Sequence, residues 1–321
     1  MDLPMGGGGP SYMLNIETLA HEFEETAVNL ARGAGAILAG QFGRQISVEY
    51  KDEHQRDPVT AADKAAQDYL VREINARFPE HGILGEEGDD DPESTAPDFL
   101  WVLDPLDGTT NFINGLPVYA CSVALLYQGR PLVGAVYLPW PKFGESFVLH
   151  CRKGGGCCAD GEPVSVYQSE ELVNNRLAGL PVGLSQSMRF GGQLRGTSGE
   201  VRTTGSIAYE LAMTACGVMQ YTVFGAPHLW DMAAGALAVQ EAGGTVMTRF
   251  SGERRWHSLD ALIPTWETRS PTFKELRQWV APLVAGNQHV APLVAHNMRR
   301  RFQLSACLRR FSRLLGWGRR N

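Results

Sequence analysis

The chain has 321 residues, 44% of them hydrophobic and 20% charged, with a net charge of −6 at neutral pH. That is the balance of a globular protein with enough apolar material for one large domain or two ordinary ones. No apolar run reaches the roughly 20 residues a membrane-spanning helix needs, and an acidic body argues against nucleic acid as the main substrate.

Residues 1–12 are glycine-rich, lack the basic and apolar blocks of a signal peptide, and read as a disordered lead-in. Ile16, Leu19, Phe23, Ala27, Leu30, Ala34, Ile37 and Phe42 recur at helical spacing and predict a long amphipathic helix from Asn15 to Phe42. Gln45 to Tyr50 alternates as a strand does, and polar Lys51 to Pro58 reads as an exposed mobile loop. A second helix follows Thr60, with Ala65, Leu70, Ile74 and Phe78 inward, and ends at Pro79. Leu84 opens a short segment, LGEEGDDD, that runs into an acidic loop.

Val118 to Tyr127, Leu132 to Leu138 and Glu145 to Leu149 predict an antiparallel meander, turned at Gly129-Arg130-Pro131 and at Pro139-Trp140-Pro141. Gly154 to Gly161 reads as a further turn, and Glu170 to Leu194 shows no clear period. Helices are expected over Ile207 to Cys216 and Trp230 to Ala242, the second stopped by Gly243-Gly244. Strands are expected over Thr245 to Thr248 and Pro282 to Ala285. The pentapeptide APLVA starts at both Ala281 and Ala291, but two copies do not make a solenoid. The order implies an α+β or layered α/β arrangement. Its parts would be a half over 13–170, a half over 171–298 and a tail over 299–321.

Six cysteines, at 121, 151, 157, 158, 216 and 307, form no CxxC pair and read as reduced thiols of a cytoplasmic protein. The tail holds eight arginines and no acid or lysine, which leaves −14 on the rest of the chain once its +8 is separated from −6. Leu304, Cys307, Leu308, Phe311, Leu314 and Leu315 form a helical stripe there, flanked by Arg301, Arg309, Arg310 and Arg313. That pattern suits an anionic membrane surface, with packing on the domain or on a partner chain, or a disordered tail, as the alternatives.

The segment Trp101 to Phe112, WVLDPLDGTTNF, carries the strongest chemical signal. An apolar run ends at Asp104, Pro105 is expected to stop the strand, and Asp107 follows. Two carboxylates at the end of a buried strand are costly unless something positive binds them. Gly108 lets a ligand approach the backbone, and Thr109-Thr110 can open a helix whose free N–H groups favour a phosphate. Metal-assisted phosphate chemistry is the reading these residues suggest. Three further acidic positions are candidates, each with a purely structural alternative. Asp63 can complete a capping box with Thr60. Asp231 can be a first-turn acid favoured by the helix dipole. Glu86 and Glu87 can belong to the solvated acidic loop.

GEE, then DPLDGTTNF, then GS at a helix start, then WDMAAGALAVQEAGG together resemble the inositol monophosphatase superfamily of magnesium-dependent, lithium-sensitive phosphatases, over about Ile16 to His296. The resemblance implies an αβαβα sandwich of the inositol monophosphatase and fructose-1,6-bisphosphatase type, assembled as a homodimer. It implies one magnesium held by Glu86, Asp104 and the Leu106 carbonyl, and a second held by Asp104, Asp107 and Asp231. A third, weaker one would sit near Glu86 and be reached through water from Asp63. Thr109, Asp63 and Glu86 would serve the attacking water, and Gly108 and Thr109 N–H groups would hold phosphate oxygens. Glu87 would stand behind the ligands, and Lys51 resembles the lysine of a mobile metal loop.

The implied reaction is hydrolysis of a small phosphomonoester, with inositol monophosphate the leading substrate. Fructose 1,6-bisphosphate, histidinol phosphate and adenosine 3′,5′-bisphosphate are the alternatives, as is a regulatory member that binds without catalysis. Inositol phosphatases usually carry an acid a few residues before the Trp-Asp. Here Leu211 to Trp230 contains none, and Val223 and Phe224 stand in that neighbourhood. Gly205 and Ser206, with Asp107 and Asp231, remain as substrate-facing groups. Arg189, Arg195 and Arg202 are candidates for a second phosphate, with a solvated surface role as the alternative. His228 is expected to be a pocket-wall or a packing residue and not a metal ligand.

Overall fold

The computed structural model describes residues 10–44, 48–50, 58–88, 91–139, 146–181, 188–194 and 196–300. Lys51, Arg195 and the arginine-rich stretch 301–321 lie outside the described residues.

Helix α1 spans Pro10–Gln41. It begins five residues before the expected Asn15, with a proline at its first position, where the missing N–H is no loss. Its buried stripe is Phe23, Ala27, Leu30, Ala34 and Leu38, so Leu38 takes the place expected for Ile37. A short hairpin of β1 (Val48–Tyr50) and β2 (Pro58–Thr60) follows. Helix α2 (Ala61–Arg77) is capped by Thr60. The inward face of α2 is Ala62, Ala66, Leu70 and Ile74; Ala65 and Phe78 are only half-buried. Leu70 and Ile74 are inward as expected, and the i, i+4 row that holds them starts at Ala62 and Ala66 rather than at Ala65.

The next strands are β3 (Gly82–Gly85), β4 (Phe99–Asp107), β5 (Ala120–Tyr127), β6 (Arg130–Leu138), β7 (Phe147–Arg152), β8 (Cys157–Ala159) and β9 (Glu162–Pro163), with the one-turn helix α3 (Thr109–Ile113) between β4 and β5. They form one seven-stranded sheet in that order. Strands β5 to β7 are the expected meander. The stretch read as a turn, Gly154 to Gly161, contains β8, whose Cys157 pairs with Cys151 of β7. Both sulfurs are free thiols.

The strand does not stop at Pro105. It runs on to Asp107, with an irregularity between the pairs Asp104–Ser122 and Asp107–Ala120. Three steps on β4 oppose two on β5, which is a bulge, and a bulge tolerates a residue with no N–H to donate.

The second sheet takes its strands from β10 (Leu177–Gly179), β12 (Glu200–Arg202), β13 (Met219–Phe224), β14 (Gly244–Thr248), β15 (His257–Ser258) and β16 (Leu283–Asn287), ordered β12-β10-β13-β16-β14-β15. Strands β11 (Met188–Phe190) and β17 (Met298–Arg300) pair with each other apart from it. The remaining helices are α4 (Ile207–Ala215), α5 (Leu229–Glu241), α6 (Phe273–Gln278) and α7 (Val290–Asn297).

These elements stack in five layers. Helices α1 and α2 cover one face of the seven-stranded sheet, α4 and α5 lie between the two sheets, and α7 covers the far face of the six-stranded sheet. The chain is therefore an α/β layered sandwich. Strand β4 shows why its apolar run is unbroken: Trp101 and Leu103 face α1 and α2, whereas Leu100 and Val102 face α4 and α5. A strand buried on both faces needs apolar residues at every position. No described helix is long and apolar enough to cross a membrane.

Candidate active site

The bulge at the end of β4 places Asp104 and Asp107 side by side at the sheet's end. Asp104 is almost fully buried, and its Oδ1 accepts the Leu106 N–H at 3.0 Å across Pro105. Gly108 then turns the chain with φ of 93°. A Cβ at that position would meet the Val118 carbonyl oxygen at 2.9 Å and Ser206 Cβ at 3.1 Å, so only glycine fits. Thr109 opens α3 immediately after.

Parallel pairing brings the third acid in. Gly85 lies opposite Leu103, and the Glu86 N–H extends the ladder to the Leu103 carbonyl at 3.0 Å. Glu86 thus follows the end of β3 beside Asp104 of β4. Asp63 arrives from the first turn of α2. Its Oδ2 accepts the Thr60 N–H at 2.8 Å and the Thr60 hydroxyl, which completes the capping box with Thr60. Its other oxygen, Oδ1, lies 3.3 Å from Thr109 Oγ1. Asp63 therefore has both the structural role open to it in sequence and a contact with the candidate site. The same Thr109 hydroxyl is 3.0 Å from the Leu106 carbonyl. It carries one proton and donates to one of the two at a time.

Helices α4 and α5 bring the rest. Asp107 Oδ2 accepts from the Ser206 hydroxyl at 2.8 Å and from the Ala208 N–H. Ser206 is also the N-cap of α4, accepting from Tyr209 N–H at 3.3 Å. Asp231, in the first turn of α5, accepts the His228 N–H at Oδ2, 2.8 Å away. His228 stacks on Trp230 with ring centroids 4.6 Å apart.

Among the described residues, Asp104, Asp107 and Asp231 are each hydrogen-bonded through one oxygen only. The electrostatics show how near the acids are to one another. Burial, and then the charges of Glu86, Asp107, Asp231 and Asp63, hold the Asp104 carboxyl well above the usual carboxylate range. Burial and Asp231 do the same to Asp107. Asp231 and Asp63 are also raised, in both cases first by burial, and Glu87 adds to the rise at Asp63.

Such a group of acids is unfavourable on its own, and a bound cation turns its repulsion into attraction. The donors are all hard oxygens, the chemistry that magnesium takes. Among the described residues no three His, Cys, Asp or Glu side chains are gathered into a ready-made cation shell. The acids share a field without closing around one point.

Thr60 holds one oxygen of Asp63, as the capping box read from sequence requires. Two further residues at this place had no reading from sequence. Asn111 Nδ2 donates to the Val118 and Thr204 carbonyls, both at 2.7 Å, and ties α3 to the loop before α4. Buried Glu210 accepts the Thr204 N–H at 2.9 Å and the Thr204 hydroxyl at 2.8 Å. The Thr60-to-Asp63 spacing was the only available signal. Arg202 is exposed on β12, beside Glu200. Arg189 lies on β11, and Lys51 and Arg195 fall outside the described residues.

The family model for the inositol monophosphatase family matches residues 19–281. The chain belongs to the inositol monophosphatase family. It is 35% identical to inositol monophosphatase 3 of Solanum lycopersicum over 247 residues, covering 70% of this chain and 85% of that protein. It is 32% identical to the Nus factor SuhB of Escherichia coli K12 over 295 residues, covering 90% of this chain and all of that protein. Among solved structures, the Thermotoga maritima inositol monophosphatase superposes with a TM-score of 0.65 at 28% identity, covering 85% of this chain and 94% of that one. The family expected from the GEE, DPLDGTT and WD motifs is thus the family found, with its layered fold.

Proposed function

We propose that this member of the family is a magnesium-dependent phosphomonoesterase acting on a small phosphomonoester. The observation that carries the reading is buried Asp104, raised by four surrounding acids, beside the Thr109–Asp63 hydrogen bond. Glu86, Asp104, the Leu106 carbonyl, Asp107 and Asp231 would hold magnesium, with Asp63 near a weaker position. When bound, magnesium supplies Lewis-acid stabilisation of the phosphoryl oxygens and lowers the pKa of the attacking water.

The chain's own groups do the positioning. The Thr109 hydroxyl orients the water and passes its proton toward Asp63 Oδ1. Burial raises Asp63 and makes it a better proton acceptor than an ordinary aspartate. Thr60 fixes the other oxygen of Asp63. Gly108 and Thr109 N–H groups would hold a phosphate oxygen, and Ser206 steadies Asp107. Glu87 tunes Asp63 through its charge. Lithium inhibition, a homodimer and a cytoplasmic setting belong to the same proposal, as does membrane contact through 299–321. The test is phosphate release from myo-inositol 1-phosphate with magnesium, with EDTA and with lithium: release that magnesium supports and EDTA removes bears the proposal out.

A second reading draws on the relatives named Nus factor SuhB. In it the chain is a regulatory protein whose site binds a sugar phosphate without turning it over. It predicts saturable ligand binding with no phosphate released.

A further inference from the structure

A pocket of about 450 Å³ opens beside the acids, between the segments that lead into α4 and α5. Ser206 lines it, and Ser206 donates to Asp107, so the pocket begins where the phosphate-facing groups end. That is the place for the alcohol part of a phosphomonoester, and the volume suits one small organic group. The walls include Ile207, Phe224, Ala226 and Pro227. Among the described lining residues the single acid is Glu210. One of its carboxylate oxygens takes both Thr204 donors. The other lies against β10, within 2.5 Å of where a Cβ on Gly179 would be. Through that first oxygen Glu210 is a brace for the Thr204–Ser206 turn.

A ring bearing several hydroxyls would lose water on entering this pocket and, among the described lining residues, meet mainly the apolar side chains of Ile207, Phe224, Ala226 and Pro227. An unpaired buried hydroxyl costs roughly a tenfold factor or more in affinity. An apolar ring loses nothing and gains contact with Phe224 and Ile207.

We infer, resting on the phosphatase reading above, that the preferred substrate is a phosphomonoester of an apolar cyclic alcohol, one lacking the hydroxyls of a polyol. In the reaction a P–O bond forms to the water oxygen as the bond to the ring oxygen breaks. One water proton ends on the departing alcohol and the other on inorganic phosphate.

Cyclohexyl phosphate and myo-inositol 1-phosphate test this, since they share a six-membered ring and differ in its hydroxyls. The readout is KM and kcat from phosphate release by the full chain with magnesium, with p-nitrophenyl phosphate as a general phosphatase probe. The expected result is a KM for cyclohexyl phosphate at least about tenfold below that for the inositol ester. The preference cannot come from leaving-group chemistry, because the inositol oxygen is the better leaving group. Equal KM values, or a lower one for the inositol ester, overturn the inference and leave the phosphatase reading standing. No release from any of the three esters overturns both. The exposed rim variant Ala226→Glu adds an acceptor without touching the core, and should narrow the KM ratio by about tenfold. An unchanged ratio in a folded Ala226→Glu variant counts against the pocket as the alcohol site.

Discussion

Thr109 Oγ1 and Asp63 Oδ1 lie 3.3 Å apart across 46 residues of sequence, one opening α3 and the other in the first turn of α2. The Thr60 cap pins the far oxygen of Asp63 and leaves the near one for Thr109. Thr109→Val keeps the shape and removes the hydroxyl. Its kcat should fall by about 100-fold or more, the usual worth of a positioned proton-transfer group, with KM little changed. Thr109→Ser should keep most of the activity. Steady-state phosphate release on both variants checks this, and equal losses in the two would assign Thr109 a packing role.

Ser206 caps α4 and donates to Asp107 in one gesture. Residues that orient a metal ligand through a hydrogen bond typically matter about 10–100-fold for metal affinity. Ser206→Ala should therefore raise the magnesium concentration for half-maximal activity by about tenfold. The lost cap should lower stability by about 1 kcal/mol. A magnesium titration of activity, beside urea unfolding, separates the two effects.

Gly108→Ala should be severe for a residue so small. The substitution forces a side chain into a left-handed conformation and against the Val118 carbonyl. A cost of about 2–3 kcal/mol is expected from backbone strain and contact together. Activity should fall with it, because the Gly108–Thr109 turn moves. Urea unfolding of the variant measures the cost.

His81 predicts how stability follows pH. It is stacked between Phe78 and Phe99, with ring centroids 4.8 Å away in each case, and its Nδ1 accepts the Trp101 indole N–H at 3.1 Å. Burial lowers its pKa from 6.5 to about 4. Between those values the unfolded chain binds a proton that the folded chain does not, so this contribution is full above pH 6.5 and is lost as pH falls toward 4. His81→Phe should flatten that part of the profile. It should also lower stability above pH 6.5 by about 1–3 kcal/mol, because the Trp101 N–H loses its acceptor, and the gap should close as pH falls toward 4. Urea midpoints from pH 4 to 7 give both quantities.

The sequence made the site legible where chemistry demanded specific residue types in order. Asp104, Asp107, Thr109, Glu86 and Asp231 stand in motifs, and α2, α4, α5 and the meander follow from periodicity and stop signals. Legibility failed where long-range context decides. APLVA contributes to strand β16 at its first occurrence and to helix α7 at its second, since five apolar residues fit either and the neighbouring layers choose. Pro105 looked like a strand end because its place opposite β5, in a bulge, is set by pairing. Glu210 went unread because its meaning is a bond to Thr204. Asp63 was left between a cap and a site, and it is both a cap and a neighbour of Thr109.

The central claim is that the acids around Asp104 support magnesium-dependent release of phosphate. The most direct test compares wild type with Asp104→Asn on myo-inositol 1-phosphate, cyclohexyl phosphate and p-nitrophenyl phosphate, across a magnesium titration. The account predicts magnesium-dependent release by the wild type and loss of about 1,000-fold or more in the variant, as expected when a group stabilising the transition state through bound metal is removed. Release that survives EDTA, or an Asp104→Asn variant that keeps most of its activity, would contradict it.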